Sequence, residues 1–98
     1  MTINKIANGS TLTLALGGRL DTTTAPELEA EAKTALENVT ELTVDLKDLE
    51  YMSSAGLRVM LSMQKRMNVQ GSMVVKNVNE TISEIFEVTG FADILTIE

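Results

Sequence analysis

Between residues 41 and 77 the apolar pattern changes period twice. "ELTVDL" carries a strand, Leu42 to Leu46; a short connector follows; an amphipathic helix runs from Ser54 to about Asn68; and after the break Val69-Gln70-Gly71 comes "SMVVKNV", a second strand rich in β-branched residues. Strand, helix and strand in that order favour parallel strands joined by a right-handed crossover, with helices lying on the sheet. Few folds available to a short chain satisfy this.

The flanks extend the same alternation. "TINKIA" is a short strand, and Asn8-Gly9 is a hairpin signal. In "TLTLAL" Leu12, Leu14 and Leu16 face one way and Thr11, Thr13 and Ala15 the other, as in a half-buried strand that ends at Gly17-Gly18. "DTTTAPELEAEAKTALENV" reads as a loop and a helix. Thr24 and Glu27 have capping-box spacing, Pro26 sits in the first turn, and Ala25, Leu28, Ala32, Ala35 and Leu36 form a stripe of mostly small apolar residues. "NETISEIFEVTG" is a helix capped by Asn79 and ended by Gly90, and "FADILTIE" is a last short strand or tail. The expectation is one α/β domain over residues 1–98. It has a mixed sheet of about four to five strands covered by about three to four helices, in the order β-β-α-β-α-β-α-β.

Composition narrows the chemistry. The 98 residues include no cysteine and no histidine, which removes disulfides, thiolate sites, structural zinc and catalysis by Cys or His. The net charge of −6 opposes direct nucleic-acid binding and suits either solubility or a basic protein partner. "MTINKIANGS" has no signal-peptide core, and no apolar run approaches the roughly 20 residues that cross a bilayer. The expectation is a cytoplasmic protein that works without membrane or cofactor, as a monomer or weak dimer.

"LEYMSSAGLRVML", residues 49–61, puts two hydroxyls where a strand becomes a helix. Ser53 or Ser54 can serve as an N-cap, accepting from the N–H of Ala55, Gly56 or Leu57. Neither fits a nucleophile: "SSAG" is not the G-x-S-x-G elbow, and there is no His to act as base. A phosphate added there would instead be welcome, because free amides and the helix dipole favour an anion. It would place close to two negative charges on a docking face without unfolding the helix.

"LTVDLKDLEYMSSAGLRVML" resembles the signature of the STAS domain, the fold of anti-sigma factor antagonists. "GRLDTTTAPEL", residues 18–28, resembles that family's G-x-L-D-x-x-T-A-x-x-L segment, and residues 74–95 resemble its closing strand, helix and strand. The resemblance implies that an anti-sigma factor serine/threonine kinase binds the unphosphorylated domain and phosphorylates one loop serine. Laid on this chain, Ser54 takes the acceptor position, with Ser53 as the alternative because it stands where the family often has Asp. Other STAS systems, a lipid-transport accessory or a stress-signalling scaffold, would use the serines as plain caps.

The second helix offers a face to such a partner. At about 100° per residue, Leu57, Met60, Leu61, Gln64 and Asn68 point at the sheet, while Arg58, Ser62, Lys65 and Arg66 lie opposite. Val59 and Met63 fall on a flank, either under the third helix or as an exposed apolar edge beside the serines. The expected partner-binding set is therefore Asp21, Thr22, Ser53, Ser54, Ala55, Gly56, Arg58, Val59 and Met63. Asp21 is expected to anchor its loop by hydrogen-bonding backbone N–H groups. Asp45 and Asp48 lack a third partner at metal-ligand spacing and are expected to be solvated.

Overall fold

A computed structural model describes residues 1–98. Its elements are β1 (Thr2–Asn8), β2 (Thr11–Leu20), α1 (Ala25–Ala35), β3 (Glu41–Met52), α2 (Ser54–Gln70), β4 (Ser72–Lys76), α3 (Glu80–Thr89) and a final 3₁₀ turn, Phe91–Asp93. The four strands form one mixed sheet in the order β1-β2-β3-β4. The hairpin β1–β2 is antiparallel, whereas β2–β3 and β3–β4 are parallel, joined across α1 and α2. The two residues closing the hairpin are Gly9 and Ser10, between the Asn8–Thr11 pair. Gly9, with φ 62°, supplies the positive φ that such a turn needs at its first central position.

One cluster of 24 buried apolar residues joins all three helices to one face of the sheet. Leu12, Leu14 and Leu16 of β2, Leu42, Val44 and Leu46 of β3, and Met73 and Val75 of β4 point into it. α1 contributes Ala25, Leu28 and Ala32, the small residues letting the helix approach closely. α3 contributes Ile82 and Phe86, Phe86 being fully buried. The opposite face of the sheet is only half-buried and carries Thr13, Thr43, Asp45 and Val74. Burying each large core side chain contributes about 1.5–3 kcal/mol.

Polar side chains of α2 hold the end of α1 and the turn that follows it. Arg66 Nη1 donates to the carbonyls of Ala32 and Lys33, both at 3.2 Å, and Gln70 Nε2 donates to those of Leu36 at 2.7 Å and Val39 at 2.6 Å. Asn79 caps α3 by accepting from Ile82 N–H at 2.9 Å, and Gly90 ends it in the left-handed region, as expected.

The strands are longer than the sequence suggests. β2 continues through Gly17-Gly18, and the expected connector after Leu46 is strand up to Met52. The reason is a pair of bulges. β3 has one extra residue between the pairs Ala15–Asp45 and Gly17–Asp48, and another between Gly18–Leu49 and Arg19–Tyr51. Each bulge shifts the alternation, so the inward residues run Leu46, Leu49, Met52. The expected last strand shrinks to a single bridge, Val75–Ile97, because the 3₁₀ turn consumes the residues before it.

Candidate functional site

The β2–α1 and β3–α2 junctions lie side by side because β2 and β3 are parallel neighbours and both end here, Leu20 opposite Met52. Ser53 N–H donates to the Leu20 carbonyl at 2.8 Å, which ties the second junction to the first.

Asp21 organises the first loop. Its Oδ1 accepts from the N–H groups of Thr23 at 3.0 Å and Thr24 at 3.2 Å. The Thr24 hydroxyl accepts from Asp21 N–H and donates to the Arg19 carbonyl, both at 2.8 Å. The expected capping box of Thr24 and Glu27 is therefore absent. Thr24 is already helical at φ −96°, ψ −22°, and its hydroxyl turns back to the strand instead of capping α1. The Thr24 N–H, above all, holds the Asp21 carboxyl below the usual 3.8 of an aspartate; desolvation partly offsets it, and the Thr23 N–H, the Thr24 hydroxyl and Arg19 add to the lowering. A depressed carboxyl stabilises the fold above the unfolded pKa and loses that contribution as pH falls through the folded one. Asp21→Asn keeps a neutral acceptor and removes the charge. We expect its melting temperature to lie below the parent's at pH 7, and the gap to close as pH drops below about 4. A gap that does not change with pH would contradict this reading of the loop.

At the second junction Ser53 is extended, at φ −91° and ψ 177°, and Ser54 opens α2. No side chain caps this helix. Ser53 Oγ is shut away from solvent without a hydrogen-bond partner, so the expected serine cap is not formed. The first amides of α2 have no intrahelical acceptor, as at any helix start, and here they lack a side-chain acceptor too. Ser54 is exposed. Gly56 lets the helix sit close to the strands: a Cβ there would lie 2.7 Å from Leu20 Cγ and 2.9 Å from Met52 Cγ.

Of the expected partner-binding residues, Asp21, Thr22, Ser53, Ser54 and Ala55 gather at this end of the sheet, and Arg58 is exposed one turn down α2. Gly56 is buried and acts through its lack of a side chain. Val59 and Met63 require correction. They are 4% and 3% exposed and form no open apolar edge. α1 covers this flank rather than α3: Ala32 and Leu36 stand against them where the two helices pack.

The open apolar surface lies on the other side of α2. A hollow of about 320 Å³ is lined by Ser54, Leu57, Arg58, Leu61, Thr89 and Phe91, so the serine stands directly on its rim. Sequence reasoning also passed over Arg19 and Tyr51, cross-strand partners on the side of β2 and β3 away from the core. The guanidinium carbon lies 4.4 Å from the Tyr51 ring centroid, a cation–π stack. Asp45 is not simply solvated. Its Oδ1 accepts from Asn77 Nδ2 at 3.0 Å and Lys47 N–H at 2.9 Å. The Asn77 bond, more than that of Lys47, lowers the Asp45 carboxyl.

Comparison with known proteins places this geometry in a family. A family model described as "Mlab, STAS domain" matches residues 3–96. The anti-sigma-B factor antagonist of Bacillus subtilis (strain 168) is 32% identical over 91 residues, covering 92% of this chain and 84% of that protein. The anti-sigma-B factor antagonist of Staphylococcus aureus (strain NCTC 8325 / PS 47) is 32% identical over 85 residues, covering 84% and 78%. The chain therefore belongs to the STAS family, and these relatives are named as regulators rather than enzymes. Among solved structures, SpoIIAA, an anti-sigma factor antagonist, superposes in its unphosphorylated form with a TM-score of 0.84 at 21% identity, covering 99% of this chain and 88% of that one. The phosphorylated form of SpoIIAA, described as a Bacillus cell fate determinant, gives 0.76 at the same identity, covering 99% and 91%. At that identity the likeness establishes the fold alone.

Proposed function

We propose that this STAS-family chain is a cytoplasmic anti-sigma factor antagonist. In this reading it binds an anti-sigma factor serine/threonine kinase through the Asp21 and Ser54 end of the sheet and is released when Ser54 is phosphorylated. The observation that carries the reading is the contrast between the two serines. Ser54 is exposed on the rim of an apolar hollow, whereas the hydroxyl of Ser53 is closed off from solvent. A kinase needs an accessible hydroxyl, which favours Ser54 over Ser53 as the acceptor. The uncapped amides of α2 support the same reading, since they can receive a dianion where no side chain competes. Arg58, exposed one turn along the same helix, is spaced to answer the phosphate with a charge-assisted bond.

Incubation with the anti-sigma factor kinase of the same genome and ATP, followed by mass spectrometry of the digested protein, tests the assignment. We expect one phosphate, on Ser54, none on Ser54→Ala, and normal labelling of Ser53→Ala. Labelling of Ser54→Ala together with loss of labelling in Ser53→Ala would reassign the acceptor. No labelling of the parent by a kinase that binds it would remove phosphorylation from the account.

A further inference from the structure

Arg19 makes only peripheral contacts within the fold. Its side chain is 60% exposed, in a chain whose net charge is −6. Yet it has a partner on each of two sides. The guanidinium lies over the Tyr51 ring, 4.4 Å from the centroid, and Nε sits 3.8 Å from Asp21 Oδ2. The bulge between the pairs Gly18–Leu49 and Arg19–Tyr51 sets the two side chains opposite each other. Tyr51 occupies the face of the guanidinium and Asp21 takes only its Nε edge, at a long distance. The two η nitrogens make no hydrogen bond within the chain. What remains is a planar fork of donors beside the junction where Ser53 and Ser54 lie.

We infer that Arg19, positioned by Tyr51, receives a carboxylate from the anti-sigma factor kinase, an Asp or Glu side chain bound in a fork-to-fork pair. The inference rests on the functional reading above and adds to it a contact that decides which kinase is accepted. Three physical arguments favour this occupant. A carboxylate matches the free edge of the guanidinium in shape and charge. The stack on Tyr51 favours one orientation of the guanidinium, which reduces the ordering that binding has to impose. Asp21 does not fill the fork: its Oδ1 is taken by the amides of Thr23 and Thr24, and its Oδ2 stands 3.8 Å from Nε, beyond hydrogen-bond distance. Arg and Tyr are also, with Trp, the residue types enriched among those that dominate binding energy at interfaces.

The test measures affinity of the unphosphorylated protein for the purified kinase of the same genome by calorimetry, with parent, Arg19→Ala, Arg19→Lys, Arg19→Glu and Tyr51→Leu. Thermal melts of each variant confirm that it is folded. We expect Arg19→Ala to weaken binding roughly 10- to 100-fold, as for loss of a charge-assisted hydrogen-bonded pair. Arg19→Lys should lose most of the same affinity, since an ammonium keeps the charge and gives up the fork. Tyr51→Leu should weaken binding several-fold by freeing the Arg. Arg19→Glu should be weakest, and one kinase variant with an acidic residue changed to Lys should restore it. If the parent binds and the Arg19 variants bind as tightly, the inference is wrong while the functional reading stands. Weak binding that no acidic residue of the kinase reverses would sink the carboxylate assignment. If the parent itself does not bind, the functional reading fails, and this inference fails with it.

Discussion

Gly71→Ala is expected to cost about 3 kcal/mol, the top of the range for forcing a methyl group into a filled space. Gly71 joins α2 to β4. A Cβ there would lie 2.6 Å from the Thr40 carbonyl carbon, 2.7 Å from Thr40 Cα, and closer still to the carbonyl oxygen. All three are backbone atoms, so no side-chain rotation relieves the clash. Thr40 cannot step aside either. Its N–H donates to Ser10 and its carbonyl accepts from Ser72 N–H, both at 2.9 Å, at the point where β4 begins to pair with β3. On the other side, Gly71 N–H closes α2 on the Met67 carbonyl at 2.7 Å. Either the start of the β3–β4 ladder opens or the last turn of α2 unwinds. In the second case Gln70 loses its hold on the end of α1. For a domain of this size a loss of that order lowers the melting temperature by roughly 15 °C. Differential scanning calorimetry of the variant against the parent checks it; a melt within about 3 °C would show that the backbone gives way far more easily than its hydrogen bonds suggest.

How much of this was legible beforehand follows from where the alternation holds. Leu12, Leu14 and Leu16 keep a strict period of two, as do Leu42, Val44 and Leu46, and the strands containing them were readable. From Leu46 to Leu49 to Met52 the spacing becomes three, because each bulge adds a residue to β3. A period of three resembles neither a strand nor a loop, and so the second half of β3 read as a connector. The same bulges hid Arg19 and Tyr51, whose pairing depends on register and not on local sequence. The serine loop and Asp21 were legible because their chemistry is local. Val59 and Met63 were misread because the helix wheel shows which way a side chain points, not what stands there, and α1 stands there.

Phosphorylation of Ser54 is expected to raise the dissociation constant for the kinase by about 100-fold or more, since a dianion set against an apolar contact must be desolvated, which costs several kcal/mol. The exposed Ser54 is on the rim of the hollow formed by Leu57, Leu61, Thr89 and Phe91. A phosphate there sets close to two charges beside the surface that an apolar side chain of the partner would occupy. The fold itself should hardly respond. Charge at a helix N-terminus is worth about 0.3–1 kcal/mol, and here it is stabilising. Binding and folding should thus separate: a large loss of affinity, with a melting temperature changed by only a few degrees. A phosphoprotein that no longer unfolds cooperatively would mean that the switch melts α2 instead of covering a surface.

The most direct measurement is therefore the affinity of the purified kinase for this protein before and after stoichiometric phosphorylation at Ser54, with Ser54→Ala and Ser54→Asp alongside. The account predicts tight binding by the unphosphorylated protein and by Ser54→Ala, weak binding by the phosphoprotein and by Ser54→Asp, and cooperative melting in all four. Equal affinity of the phosphorylated and unphosphorylated forms would contradict it.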